Sequence, residues 1–81
     1  MHPSVTKVEP RKNHQLYIEF DNNECGILDV KPYLNFGVFS KLRDEAVFSN
    51  VRVSFDTVEW SNGVDLDPHF VYEKCIKCAE S

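Results

Sequence analysis

Residues 15–30 read QLYIEF DNNE CGILDV, and they set the architecture of the chain. The first six residues alternate apolar and polar side chains, with Leu16, Ile18 and Phe20 on one face, which is the period of a half-buried strand. Asn and Asp tolerate the left-handed backbone of tight turns, so the polar run at 21–24 lets the chain fold back. Cys25 to Val30 then forms an antiparallel partner strand, and the stretch predicts a β-hairpin.

Weaker signals on both sides extend this hairpin. Val5 to Glu9 is β-branched and predicts a third strand on the same sheet, joined to the hairpin by a polar loop at 10–14. Lys31-Pro32 ends the sheet, because proline has no amide hydrogen for a ladder. From Val38 to Phe48 we expect one or two short helical turns, a lid that packs on the sheet through Phe39, Leu42 and Phe48.

The C-terminal half predicts a second hairpin and a helix. Val51 to Asp56 alternates apolar and polar residues, and Thr57 to Trp60 would pair with it before the turn signal Ser61-Asn62-Gly63. Asp67-Pro68 joins an N-cap carboxylate to a proline at the first helical position, so a helix should run from Pro68 to about Cys78. The predicted fold is a single small α+β domain, an antiparallel β-meander of two hairpins with a short helical lid and a C-terminal helix.

Length and charge restrict the function. At 81 residues and 9.4 kDa there is room for one domain and none for a separate catalytic domain. The net charge of -4 opposes binding to nucleic-acid phosphates or anionic lipid. We find no signal peptide and no apolar run that could span a membrane, and three cysteines, an odd number, favour reduced thiols. A cytoplasmic location is the expectation.

The cysteines are the first candidates for a chemical site. Cys75 and Cys78 form a C-x-x-C pair that can supply half of a zinc site. The residues that could complete it are Cys25, His2, His14 and His69. A second paired knuckle is missing, and Val71, Cys75 and Cys78 have the spacing of a buried helical stripe, so we expect apolar packing, with no metal and no cofactor.

The second candidate is the pair Asp65 and Asp67, which has the spacing of carboxylates that hold Mg²⁺. The chain lacks a glycine-rich phosphate loop, Asp67 is already the predicted helix cap, and Asp65 can serve the turn after Gly63. His69 has no visible acid–base partner, and no serine stands in a nucleophile motif. We therefore predict that the protein is not an enzyme. The alternative is a small metal- or nucleotide-binding protein that uses Asp65, Asp67 and His69.

Several segments together carry a family resemblance. They are Leu16–Phe20, Leu28–Val30 with Pro32–Leu34, Gly37–Phe39 with Leu42–Asp44 and Phe48, and Trp60–Pro68 with Tyr72. In this order they resemble a small prokaryotic family known as domain of unknown function 2442. The pattern W-x-N-G-x-D-x-x-P at 60–68 is its most specific part. The resemblance spans about Val5 to Glu73, and the tail at 74–81 lies beyond it.

The resemblance implies an α+β domain without an established activity. Relatives often lie beside a second small open reading frame, as toxin–antitoxin pairs do. Some relatives bear a label from molybdopterin-guanine dinucleotide synthesis, which the missing phosphate loop argues against here. The resemblance thus points to a two-gene bacterial system rather than to a reaction.

Acidic charge, small size and the lack of a catalytic constellation predict a non-enzymatic protein-interaction module. It would be the antitoxin-like or regulatory half of a two-gene system, with a partner that presents a basic face. The expected contact residues are Tyr33, Trp60, Asn62 and Asp65, whereas Gly63, Asp67 and Pro68 are expected to shape the turn and the cap. Self-association through an open sheet edge, as a homodimer, is the remaining alternative.

Overall fold

Strands and short helical turns make up most of residues 3–77, the part of the chain that the computed structural model describes. The strands are β1 (Val5–Arg11), β2 (Gln15–Phe20), β3 (Cys25–Asp29), β4 (Val51–Ser54), β5 (Thr57–Trp60) and β6 (Ile76–Lys77). The helices are α1 (Glu45–Phe48) and α2 (Pro68–Lys74), and the 3₁₀ turns are Lys31–Tyr33 and Gly37–Arg43. The α+β class is confirmed.

The strands form two antiparallel sheets. The larger sheet has the order β1-β2-β3-β6, and β4 and β5 form a separate two-stranded sheet. In the first hairpin, Leu16 lies opposite Leu28 and Ile18 lies opposite Gly26. Asn23 takes a positive φ of 70° in the connecting turn, as the polar run at 21–24 requires. Both predicted hairpins are therefore present, but on separate sheets.

A single apolar core lies between the two sheets, α2 and the lid. Strand alternation turns three residues of β2 inward, and β5 contributes Val58 and Trp60 from the other sheet. From the lid, Leu42 and Phe48 are buried and Phe39 packs partly against the same cluster. The predicted packing of the lid is confirmed.

Strand β1 extends beyond the predicted Glu9. Pro10 pairs with Leu16 and Arg11 with Gln15, so the connecting loop is shorter than the expected 10–14. β1 is an edge strand of its sheet, where proline is tolerated because one side of the strand has no ladder to donate to. The prediction that Pro10 and Arg11 belong to the loop is wrong for this reason.

The predicted helix from Pro68 to Cys78 is too long. Helix α2 ends at Lys74, and Cys75 takes an extended backbone with ψ of 127°. Ile76 and Lys77 then pair with Ile27 and Gly26 as an added strand. A Cβ atom on Gly26 would lie 2.6 Å from the Ile76 carbonyl oxygen, so only glycine allows this approach.

Candidate functional site

The segment that follows the Gly63 turn runs back along β5. The amide of Trp60 donates to the carbonyl of Val64 at 2.7 Å, and the amide of Leu66 donates to the carbonyl of Val58 at 3.3 Å. Val64 and Leu66 are buried, so the alternation of an extended segment turns Asp65 outward to solvent. The position of the Asp65 carboxylate is thus fixed by backbone pairing on β5.

Asp67 begins α2 and orients Phe70. Its carboxylate accepts a hydrogen bond from the amide of Phe70 at 3.1 Å, and Pro68 follows at the first helical position. The Phe70 ring meets the ring of Tyr33 edge to face, with centroids 5.1 Å apart at 75°. Tyr33 comes from the 3₁₀ turn Lys31–Tyr33, so the contact joins two segments that lie far apart in sequence.

These residues border an open cleft of about 230 Å³. Its walls are mostly apolar, and two carboxylates stand among them. The lining residues are Tyr33, Phe39, Asp65, Leu66, Asp67 and Phe70. We call this site the cleft. Its volume lies below the ~300–1,000 Å³ of ordinary small-molecule pockets, which suits one inserted side chain better than a nucleotide.

Two exposed apolar side chains lie on the segment between Tyr33 and Phe39, two residues that line the cleft. Phe36 is 63% exposed and Val38 is 55% exposed. The amide of Phe36 donates to the carbonyl of Tyr33, and the amide of Phe39 donates to the carbonyl of Phe36, at 3.1 and 3.0 Å. Phe36 therefore sits on the backbone between two residues that line the cleft. We call Phe36 and Val38 the apolar rim.

The side chain of Arg43 is hydrogen-bonded to the segment that carries the apolar rim. Its Nε donates to the carbonyl of Leu34 at 3.2 Å, and its guanidinium also contacts the side-chain oxygen of Asn35. The backbone carbonyl of Arg43 is in turn 2.9 Å from Nε2 of His14, which lies between β1 and β2. The exposed apolar residues thus stand on a segment that is anchored to the sheet.

The structure brings together two of the four expected contact residues. Tyr33 and Asp65 both line the cleft. Asn62 is exposed but is not among the lining residues, and its side chain accepts a hydrogen bond from the amide of Val64 at 3.2 Å. Gly63 takes a φ of +91°, so the expected turn is confirmed, as is the cap formed by Asp67 and Pro68.

Trp60 does not belong to a contact surface. It is 0% exposed, its indole Nε1 donates to the carbonyl of Phe48 at 2.8 Å, and its ring packs against the Phe48 ring. The prediction was wrong because alternation along β5 turns both Val58 and Trp60 toward the core. Burial with a satisfied N–H is the usual place for such a ring.

Three lining residues, Phe39, Leu66 and Phe70, escaped the sequence reasoning. Phe39 is predicted only to pack the lid on the sheet; in the structure Phe39 packs against the core and Leu66 is part of it. Phe70 lies beside Val71 on α2, at the margin of the predicted buried stripe. A ring at that margin, next to a cap carboxylate, is the one sequence signal that could have marked the cleft.

The thiols offer no reactive group among the residues described. Cys75 is a free and buried thiol, and burial raises its pKa to about 11, so it stays protonated and unreactive near neutral pH. Cys25 is disulfide-bonded, which contradicts the expectation that the thiols are reduced. Cys78, like His2, lies outside the described residues. The cytoplasmic location rested in part on reduced thiols, and it stays a prediction.

The alternative metal site gains little from the geometry. Within residues 3–77 no group of three or more His, Cys, Asp and Glu side chains is arranged to hold a metal ion. Asp65 and Asp67 do line one cleft, but Nε2 of His69 lies 3.1 Å from the carboxylate of Glu73. His69 is thus oriented along its own helix, by a contact four residues further on.

A larger cleft, of about 460 Å³, lies around the turn end of the first hairpin. Its acidic residues already have partners within the described chain. The Tyr17 hydroxyl donates to Glu19 at 2.8 Å, and the Tyr72 hydroxyl donates to Glu24 at 2.5 Å. The Tyr72 contact, together with Asn22, lowers the pKa of Glu24. This cleft is a solvated, internally satisfied surface.

The chain belongs to the family described as "Protein of unknown function (DUF2442)", whose model matches residues 5–77. The match continues beyond residue 73, where the resemblance was expected to end, and takes in β6. No curated protein and no solved structure matches the chain significantly. Among the described residues, no helix is both long enough and apolar enough to cross a membrane.

Proposed function

We propose that this member of the family is a non-enzymatic protein-interaction module that binds a partner through the cleft and the apolar rim. The observation that carries the proposal is the exposure of Phe36 and Val38 on the segment between Tyr33 and Phe39, which line a cleft with aromatic walls. Large apolar side chains left at the surface next to a concave aromatic site are typical of protein interfaces. Aromatic anchors surrounded by a polar rim are where interface energy concentrates.

Charge defines the kind of partner. The chain has a net charge of -4, and Asp65 and Asp67 stand at the cleft itself. A basic face on the partner would complement this surface and speed the encounter. Together with the family resemblance, these features support an antitoxin-like or regulatory role, in which the partner is encoded by the adjacent gene.

Co-expression with the product of the adjacent gene tests the proposal. We expect a complex that survives purification with the wild-type chain and is lost with the double substitution Phe36→Ser and Val38→Ser. Phe55→Ser is the matched control, because Phe55 is 98% exposed but lies in the β4–β5 turn, outside the lining of the cleft. Recovery of the wild-type chain alone, or as a homodimer by light scattering, would contradict the proposal.

A further inference from the structure

The two carboxylates of the cleft lack a cationic partner within the described chain. None of the ion pairs between residues 3 and 77 uses Asp65 or Asp67, and no basic side chain is among the described residues that line the cleft. The carboxylate of Asp67 still accepts the amide of Phe70 as a helix cap. Asp65 is exposed and carries the charge that is most available to a ligand.

The walls of the cleft suit an organic cation. Tyr33, Phe39 and Phe70 supply three aromatic rings around the same space, and Leu66 supplies an apolar floor. A ring face attracts a cation through its quadrupole, most strongly where water is excluded. The edge-to-face contact orients the rings of Tyr33 and Phe70, and the Asp67 cap fixes the backbone of Phe70, before any ligand arrives.

From these observations we infer that the cleft receives an arginine side chain of the partner protein. The three-carbon stem lies against Leu66 and the rings, and the guanidinium meets the Asp65 carboxylate. This inference rests on the proposed function, since it names the residue through which the partner binds. It explains why the cleft is both apolar and acidic, and why its volume of about 230 Å³ lies below that of ordinary small-molecule pockets.

Arginine fits this site better than lysine for two reasons. The guanidinium is planar and weakly hydrated, so it stacks on aromatic rings at a small cost in lost hydration, whereas an ammonium group holds its water more strongly. Its fork of N–H donors also matches both oxygens of a carboxylate. A lysine analogue should therefore bind the cleft more weakly than an arginine analogue.

The first measurement titrates the full chain with N-propylguanidinium and follows amide chemical shifts by NMR. N-propylurea is the matched neutral probe, and n-butylammonium stands for lysine. We expect the guanidinium to shift the amides of the cleft residues and the urea to leave them unchanged at equal concentration. Equal shifts with the urea, or guanidinium shifts only around Tyr17 and Glu19, would overturn the inference.

Two variants distinguish binding at the cleft from a general attraction of cations to the acidic chain. Asp65→Asn should weaken guanidinium binding about fivefold, the loss typical of a strong exposed ion pair. Asp56→Asn removes the same charge from the β4–β5 turn and should change nothing. Both variants should unfold at the urea concentration of the wild type, because neither side chain has a hydrogen bond within residues 3–77. Unchanged binding in Asp65→Asn would overturn the inference.

A peptide pair distinguishes a protein arginine from a free cation. One short peptide of glycine and serine carries a single arginine, and its twin carries citrulline in that position. The arginine peptide should bind at least as tightly as N-propylguanidinium, and the citrulline peptide should not bind. If only the free probe binds, the cleft is a small-cation site, and the inference fails.

The proposed function and the arginine inference can fail independently of each other. If Phe36→Ser with Val38→Ser abolishes the complex with the partner but Asp65→Asn leaves its affinity unchanged, the module binds as proposed without an arginine in the cleft. If Asp65→Asn weakens the complex and the arginine probes bind in the cleft, the proposed function and the arginine inference are both supported. If no partner protein co-purifies, the proposed function fails; binding of the arginine peptide to the cleft would then still support the arginine site, and absence of that binding would overturn it.

Discussion

Strand β2 and the segment 33–39 are both rich in apolar residues, yet they use them in opposite ways. In β2, Leu16, Ile18 and Phe20 all face the core and are at most 3% exposed. In the segment 33–39, Phe39 packs partly inward while Phe36 and Val38 face solvent. The strand has a fixed period of two that sorts its side chains between two faces. The segment 33–39 runs from one 3₁₀ turn through the extended backbone of Phe36 into the next, so no single period sorts its side chains.

This difference separates residues that build the fold from residues that are free for contact. β2 is hydrogen-bonded to a strand on each side, and this pairing fixes which of its side chains face the core. Its buried apolar side chains are therefore not available to a partner. The segment 33–39 is held by its backbone and by Arg43, so its outward side chains contribute little to folding. Stability and binding should therefore respond to substitutions in different regions.

Trp60→Ala should have the largest effect on stability. The substitution empties a core site and leaves the Phe48 carbonyl without its donor, so we expect a loss of about 3–5 kcal/mol in the free energy of unfolding. Urea denaturation followed by circular dichroism measures it. A loss within about 0.5 kcal/mol, the size typical of surface substitutions, would contradict the burial of Trp60.

Gly26→Ala should come next. The added Cβ would lie 2.6 Å from the Ile76 carbonyl oxygen and 2.7 Å from Sγ of Cys75, so β6 must move away from β3. We expect a loss of about 1–3 kcal/mol and faster amide exchange at the β3–β6 ladder. Wild-type exchange rates at Ile76 and Lys77 in the variant would mean that β6 does not pair as described.

The stability of the chain should fall as the pH rises from about 9 to about 11, in part through Cys75. Burial raises the pKa of this thiol from its ordinary value of 9.0 to about 11 in the folded chain. The unfolded chain therefore loses the proton first, and alkaline pH favours unfolding. Cys75→Ala should flatten this part of the curve of unfolding free energy against pH. A slope identical to that of the wild type would show that the thiol is not buried.

The smallest effect on stability is expected for the apolar rim. Phe36→Ser and Val38→Ser should each change the free energy of unfolding by no more than about 0.5 kcal/mol, since both side chains are more than half exposed. The urea midpoints of these variants, set beside that of Trp60→Ala, give the contrast directly. A loss of more than about 2 kcal/mol would place the rim in the core, where large-to-small substitutions cost that much.

Much of the fold could be predicted because its signals are local. The alternation in β2, the polar turn at 21–24, the Gly63 turn and the Asp67-Pro68 cap each depend on a few neighbouring residues. All four stand in the structure where the sequence placed them. The predicted lid is also confirmed, because Leu42 and Phe48 are both buried as their spacing predicts.

The features that escaped prediction depend on distant pairings. β6 exists because Lys77 meets Gly26 across the molecule, and no residue near Lys74 signals the end of the helix. The cleft joins Tyr33 to Phe70 in the same way. Asp65 and Tyr33 were chosen from two loops on sequence grounds, but only the fold shows that they border one space.

The central claim is that the partner binds at the cleft and the apolar rim. Its most direct test is amide hydrogen exchange of the chain alone and in complex with the co-purified partner. We expect slower exchange on binding in residues 33–39 and 65–70 and no change on the outer face of the first hairpin. Protection at Tyr17 and Glu19, or at the β4–β5 turn around Phe55, with residues 33–39 unchanged, would contradict the assignment.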